Sequence, residues 1–340
     1  MDKGRKRALG ALRLTATVAV LGTVAYFLDT RAIIDKLAGV RPEWLVAALA
    51  AALPHYVFSA LRWRYMTRQF GGDLSLNRAV PEYFLAVLLN QTLPGGVPGD
   101  LVRAWRDKGR ASGNGNGNGN GNSNGNDNGA ANGNGRNSGL GRHTEGLGAA
   151  ARGVLFERAS GQITLVLVAI VGVLTLPGTI RDTLPLWAFA LVPLGLAVVV
   201  AASMLVLRRL DAGARTGDKP GRVLQFLRDG RWVLFGPRHF LMHVLYSLPV
   251  VASFLGTFYL AGKAIGITLD PVLAVSAVPI VLLSMTVPIT VGGWGVREGA
   301  AAALWAVVGL PASEGVAISV LYGVVILLSA SPGALVLLRR

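Results

Sequence analysis

The sequence predicts an all-α, polytopic helical membrane protein with about six full spans and two re-entrant helical hairpins of opposite orientation. Three observations carry this prediction. First, of 340 residues 52% are hydrophobic and only 15% charged, with a mean hydropathy of +0.50, far from the balance of soluble chains. Second, several apolar runs approach or exceed the roughly 20 residues that cross a ~30 Å hydrocarbon core as a helix, and none alternates in the manner of an outer-membrane barrel strand. Third, two further apolar runs are interrupted by prolines, glycines and charged residues, which a lipid-exposed helix does not tolerate.

Taken in order, the basic start MDKGRKRALG leads into an apolar run without a small-residue cleavage site, so residues 12–28 read as an uncleaved first span. A second span covers 44–66, closed by Arg62, Arg64 and Arg68, whose long stems allow snorkelling. Residues 77–93 are apolar but short, and basic residues flank the segment 77–108 on both sides, so it reads as a re-entrant hairpin. From 111 to 145 the chain is dominated by alternating Gly and Asn, a composition with too little apolar surface to offset its ordering entropy, and it reads as a disordered loop. Further spans are expected at 155–178, 185–207, 239–262 and 314–337, with a basic amphipathic helix around 223–235 whose Arg222, Arg228 and Arg231 face anionic headgroups. The pair 272–290 and 296–309, separated by VGGWGVREG, forms a second re-entrant hairpin, 272–309. The chain thus divides into a first membrane half (1–110), the Gly/Asn loop (111–145) and a second membrane half (146–340).

The net charge is +15, from 33 basic and 18 acidic residues, and its distribution sets its meaning. Residues 1–13 carry five basic groups and one acid, 62–110 eight and four, and 208–238 eight and three, whereas 29–43 carry three of each. Basic connections alternating with neutral ones follow the positive-inside rule. Both termini are therefore expected in the cytoplasm of a bacterial inner-membrane, multi-pass protein, with the two hairpins entering from opposite faces. No aromatic-interleaved or zinc-finger motif accompanies the charge, so no nucleic-acid partner is expected. The absence of cysteine excludes disulfides and thiolate chemistry. His239 and His243 share a helix face, but no third ligand is evident, and no GK[ST] loop or nucleotide fingerprint is present. No metal and no cofactor is expected.

The interrupted segments are the candidate site. PGGVPGDLVR runs from Pro94 to Arg103 and PITVGGWGVR from Pro288 to Arg297, so each places an arginine nine residues after a proline (103−94 and 297−288), with Asp100 or Glu298 beside it. Gly95, Gly96 and Gly99 in the first, and Gly292, Gly293 and Gly295 in the second, supply the break. Gly/Pro-broken segments in two oppositely oriented halves are the sequence pointer to a transporter-like site. A charged side chain at bilayer depth costs at least ~2.5–3.5 kcal/mol and normally faces a protein interior or polar cavity. Guanidinium suits phosphate, and broken-helix N-termini add oriented N–H groups. Arg103 and Arg297 are thus expected to contact one headgroup between the hairpins; the alternative is that each pairs locally with its own carboxylate. Glu157 and Arg158, in VLFERASGQ, are a third candidate, and Asn90 and Gln91 either cap the first break or line the cavity.

The segments ALRWRYM (60–66), NQTLPGGVPGDLVRAW (90–105), FERASG (156–161) and VPITVGGWGVREGA (287–300) resemble the flippase-like membrane family that includes the transmembrane region of lysylphosphatidylglycerol synthases and related stand-alone proteins, some found with hopanoid-lipid synthesis. The resemblance implies an all-helical protein that moves polar lipids between leaflets. Its motif positions fall on Arg62, Pro94, Gly99, Asp100, Arg103, Glu157, Arg158, Gly292, Gly293, Gly295, Arg297 and Glu298. The chain stops at Arg340 shortly after the last expected span, whereas the bifunctional synthases carry a soluble C-terminal domain, so a transporter rather than an aminoacyltransferase is expected. Arg103, Arg297, Asp100, Glu298, Glu157, Arg158 and Arg62 form the expected headgroup-binding set, and membrane lipids with anionic or phosphate-bearing headgroups are the expected partners. The alternative is a non-transporting scaffold for a lipid- or glycan-synthesis enzyme.

Overall fold

A computed structural model describes residues 30–70, 72–93, 98–113, 146–175, 222–286 and 290–338, with single positions between 12 and 26. Every regular element among them is helical: α1 (Thr30–Ala38), α2 (Pro42–Gln69), α3 (Leu76–Thr92), α4 (Pro98–Gly113), α5 (Gly146–Leu174), α6 (Arg222–Phe235), α7 (Pro237–Ala264), α8 (Pro271–Ser284), α9 (Val296–Val307), α10 (Ala312–Ala330), a 3₁₀ turn and α11 (Ala334–Leu338). Four segments are long and apolar enough to cross a membrane: Pro42–Gln69, Arg152–Leu174, Pro237–Ala264 and Ala312–Leu337. They correspond to the expected spans 44–66, 155–178, 239–262 and 314–337. The expected span 185–207 and most of 12–28 and of the Gly/Asn loop lie outside the described residues, as do Pro94, Gly95, Gly96 and Pro288.

These helices are apolar on nearly every face, as expected of elements that meet lipid on one side and protein on the other. Leu155, Leu167, Ile170 and Leu174 of α5 and Leu241, Leu245 and Leu248 of α7 are exposed at the periphery, while Ala48, Ala52, Phe258, Ala261, Ile318 and Val325 of α2, α7 and α10 pack in the central cluster. The most extensive helix pairing joins α2 to α7 and therefore ties the two sequence halves together. Pro54 sits within α2 and lacks the N–H owed to the preceding turn; beside it, the Ser253 hydroxyl of α7 donates to the Ala51 carbonyl at 2.5 Å. A neighbouring helix thus donates to a carbonyl in the turn before Pro54, next to the Ala50 carbonyl that the proline leaves without its usual donor.

Each interrupted segment forms a helix–break–helix hairpin. In the first, α3 and α4 lie so close that a Cβ on Gly99 would fall 2.0 Å from the Ala86 carbonyl oxygen. Asn90 closes the break, its side-chain oxygen accepting from the Gly99 N–H at 2.8 Å. Of the two sequence expectations for Asn90, the capping contact is present and the residue also lines the cavity between the hairpins. The second arm extends to Gly113, five residues beyond the expected 108. In the second hairpin, Asp270 caps α8 by accepting from the Val272 and Leu273 N–H groups. The chain then reverses through Gly292 and Gly293, with φ of 57° and 80°, a left-handed region that strains side chains bearing a Cβ. Glu298 accepts from the Gly295 N–H at 2.6 Å, fastening the start of α9. The two hairpins meet at their breaks: a Cβ on Gly292 would fall 2.9 Å from the backbone oxygen of Gln91.

α8 is anchored against α5 at another close approach. The Ser276 hydroxyl donates to the Gly172 carbonyl at 2.7 Å, and a Cβ on Gly172 would fall 2.7 Å from the Ser276 Cα. Gly172→Ala is expected to push these helices apart and to cost ~1–3 kcal/mol, read as a lowered unfolding midpoint of the purified protein in detergent. An unchanged midpoint would show that the α5–α8 contact is free to yield.

Candidate functional site

Glu157 of α5 is fully buried and gathers two arginines from different helices. Its Oε1 accepts from Arg62 Nε at 3.0 Å and from Arg62 Nη2, while Oε2 accepts from Arg103 Nη2 at 2.9 Å. Arg62 also donates to the Ser247 hydroxyl of α7 at 2.8 Å. Arg103 reaches Asp100 one turn earlier on α4 at 2.9 Å, and the other Asp100 oxygen meets Arg158 at 2.5 Å. Three guanidinium groups and two carboxylates from α2, α4 and α5 thus form one chain of ion pairs. Among the described residues the Arg103 Nε and Nη1 atoms have no hydrogen-bond partner, but the guanidinium lies over the Trp63 and Tyr83 rings at 4.5 and 4.7 Å from their centroids. The aromatic faces supply attraction where acceptors are missing.

Arg297 is buried in a second, separate cluster. It pairs with adjacent Glu298, Nε at 3.0 Å, and donates to Ser319 of α10 at 2.9 Å. Its guanidinium lies 4.9 Å from the Trp294 ring and 5.3 Å from that of Tyr322. The two hairpin arginines therefore share an environment of one tryptophan, one tyrosine and a carboxylate. Helix glycines make room at both clusters: a Cβ on Gly161 would fall 2.8 Å from Arg62 Nη1, and one on Gly323 would fall 2.2 Å from Arg297 Nη2.

Between the clusters lies a cavity of about 260 Å³. It runs from Arg62 and Arg158 past Gln91 to Gly292 and Gly293, with Val251, Phe254 and Leu282 on its apolar wall. His55 also lines it and stands near the midpoint of α2, 13 residues from its start and 14 from its end (55−42 and 69−55). The cavity therefore reaches the middle depth of a spanning helix.

This geometry redistributes the residues singled out in the sequence. Arg62, Arg158, Gly292 and Gly293 line the cavity. Arg103 and Arg297 are not among the residues that line it; each is buried with a local carboxylate. The two do not converge on one point between the hairpins, because each sits behind its own Trp/Tyr pair. Asp100 and Glu157 lie behind Arg158 and Arg62, and Glu298 joins the separate Arg297 cluster. Sequence reasoning missed Ser247, Ser319, Tyr83 and Tyr322, which are unremarkable letters in apolar helices, and Gly161 and Gly323, whose role appears only when a guanidinium is packed against them.

The histidines have local structural partners. His239 Nδ1 lies 2.6 Å from the Tyr65 hydroxyl, and His243 Nε2 lies 3.0 Å from the Val233 carbonyl oxygen. α6 realises the helix expected around 223–235; on it Arg231, Trp232 and Phe235 are exposed, while buried Asp229 pairs with Arg152 of α5 at 3.2 Å.

Residues 10–109 and 137–332, most of the chain, match the family described as lysylphosphatidylglycerol synthase TM region. The chain belongs to this family. The match spans most of both hairpins, the Glu157 network, three of the four candidate spans that are described, and residues 312–332 of the fourth. It agrees with the resemblance carried by the four sequence motifs, and the protein is a multi-pass membrane member of the lysylphosphatidylglycerol synthase TM region family. No curated protein and no solved structure gives a significant match to the chain.

Glu157 is the carboxylate shared by Arg62 and Arg103, so its removal takes from Arg62 its carboxylate partner and leaves Arg103 with Asp100. Breaking a buried pair by deleting one partner costs ~3–5 kcal/mol. Glu157→Gln is therefore expected to lower the unfolding midpoint in detergent well below that of Arg158→Ala, since the Arg158 side chain is 42% exposed. Equal midpoints for the two variants would show that the Glu157 network does not hold these helices together.

Proposed function

We propose that this protein moves a phosphate-bearing lipid between the leaflets of a bacterial inner membrane, as a flippase or scramblase, without chemical change to the lipid. The observation that carries the reading is the mid-depth cavity at the meeting of two broken helical hairpins, with Arg62 and Arg158 on its wall. Arg62, Arg103 and Arg158 set three positive charges against the two negative charges of Glu157 and Asp100. Arg158 is the guanidinium best placed for the contact, because its head is the most accessible of the three. A phosphate would enter this polar cavity while its acyl chains stay beside the apolar helix faces, so the headgroup crosses the low-dielectric layer in contact with fixed donors.

In this reading both hairpins are re-entrant and enter from opposite faces, with both termini cytoplasmic. The chain contains no cysteine, so single cysteines at Ser75, Ser112, Thr268 and Ser313 report sidedness directly. Ser75 and Ser112 are expected to label from the cytoplasm, and Thr268 and Ser313 from outside, in sealed membranes. A pair split across the membrane would make that segment a full span and remove the opposed hairpins.

The transport reading is tested in vesicles of phosphatidylcholine and phosphatidylglycerol carrying an acyl-labelled phosphatidylglycerol tracer. The intact protein is expected to bring inner-leaflet tracer to the outside, and Arg158→Ala to slow this at least roughly tenfold while keeping the fold, the loss of one charge-assisted contact. Equal rates for the two proteins would sink the Arg158 contact. No movement with the intact protein, together with co-purification of a synthase that depends on residues 208–238, would favour the scaffold.

A further inference from the structure

Among the described residues that line the cavity, His55 alone carries a side chain that ordinarily titrates near neutral pH. It shares the wall with Ser59 and Arg62 of the same helix, at i, i+4 and i+7, the spacing of a single helix face. Arg62 is thus two turns from His55, about 10 Å by helical rise, and its charge acts on the imidazole. The His55 Nδ1 lies 2.7 Å from the Ala52 carbonyl oxygen. A carbonyl only accepts, so Nδ1 carries the hydrogen and the neutral ring presents Nε2 as a lone pair. The rings of Tyr56 and Phe254 hold the imidazole in place, with centroids 3.8 and 5.0 Å away. Nε2 has no hydrogen-bond partner among the described residues, yet it is not sealed from water as the wall atoms Gln91 Oε1, Gln162 Oε1 and Thr290 Oγ1 are. A basic nitrogen of fixed tautomer therefore opens into the cavity near the midpoint of α2.

The charges around the ring decide when that nitrogen takes a proton. The other ionisable groups on the wall are Arg62 of α2, Arg158 of α5, Tyr83 of α3 and Tyr322 of α10. α7 contributes only Val250, Val251 and Phe254, and α8 only Leu282. No carboxylate is among the described residues that line the cavity; Glu157 and Asp100 are engaged behind the arginines. A proton on Nε2 would add positive charge to a wall that already bears two guanidinium groups, with no counter-charge facing it. An anion seated on Arg62 and Arg158 supplies that counter-charge. At about 10 Å and an effective dielectric constant of about 20, one charge changes the binding of another roughly tenfold. The effect is reciprocal, so the proton strengthens the anion as much as the anion strengthens the proton.

On the strength of the headgroup site proposed above, we propose that His55 is a proton-binding site coupled to it: a solvent proton on Nε2 and an anionic headgroup on Arg62 and Arg158 bind together. The headgroup then passes the middle of the membrane with its negative charge offset by a proton that enters and leaves with it.

The test is binding of dihexanoyl-phosphatidylglycerol to the purified full chain in detergent, by calorimetry in buffers of different ionisation enthalpy. The phosphodiester of this probe holds its single charge across the titration range of histidine, so a proton taken up enters the protein. The expected result is a binding heat that varies with the buffer in the direction of proton uptake. Affinity is expected to rise roughly tenfold as pH falls from about 8 to about 5, because the loaded protein holds the extra proton more tightly than the empty one. His55→Gln and, independently, His55→Asn are expected to remove both the uptake and the pH slope, whereas His239→Gln, away from the cavity, is expected to keep both. Binding without uptake by the intact protein, or uptake that survives the His55 variants, overturns the coupling and leaves the headgroup site standing. Glycerophosphoglycerol, the same headgroup without acyl chains, binding as tightly as the lipid would assign a soluble phosphodiester and overturn the lipid as the coupled anion. Failure of the probe to bind overturns the headgroup site itself and this assignment with it.

Discussion

A guanidinium group buried in a helical bundle must find counter-charge inside the protein, and much of the first membrane half is organised around that requirement. Glu157 meets it for two arginines at once, accepting from Arg62 of α2 and Arg103 of α4. Each contact fixes a helix that the hydrophobic effect alone would hold weakly, since lipid tails are as apolar as leucine and give packed helices little advantage over solvated ones. The network therefore sets where α2, α4 and α5 cross, and with them the position of the Arg158 head on the cavity wall.

The two hairpin arginines show one solution used twice. Arg103 lies against Trp63 and Tyr83, and Arg297 against Trp294 and Tyr322, each with a carboxylate in reach. Planar delocalised charge stacks on aromatic faces while its edge donates to oxygen, which a lysine ammonium does less well. Gly161 and Gly323 complete the arrangement by leaving space beside Arg62 and Arg297, where any side chain would displace the guanidinium. Arg103 and Arg297 are thus held at the two breaks away from the cavity, whose wall Arg62 and Arg158 line. The apolar wall of Val251, Phe254 and Leu282 gives the same cavity a face without hydrogen-bond demands.

Much of this architecture is legible in the sequence because lipid imposes a coarse grammar. A run such as Pro237–Ala264 is long and apolar enough to span, and a run that ends in PGGVPGD or TVGGWGVREG has to break. Asp100 and Glu298, the carboxylates read beside the two arginines, are indeed within ion-pair distance of Arg103 and Arg297. The sequence does not carry the partners contributed from afar. Ser247 lies 185 residues from Arg62, and Glu157 lies 54 residues from Arg103. Gln162 and Thr290 read as ordinary polar letters until the fold places them on the cavity wall.

By itself the sequence determined that the chain is helical, that it resides in a membrane, and where two apolar segments break, because hydrocarbon leaves unsatisfied backbone no other arrangement. The tertiary structure alone decided which arginines face the cavity and which are sealed behind it. Side chains at Arg62, Arg103, Arg158 and Arg297 are chemically identical, so spacing along the chain cannot rank them. Their roles diverge only where Glu157, Asp100 and Glu298 arrive from the fold and the glycines of neighbouring helices leave each guanidinium its place.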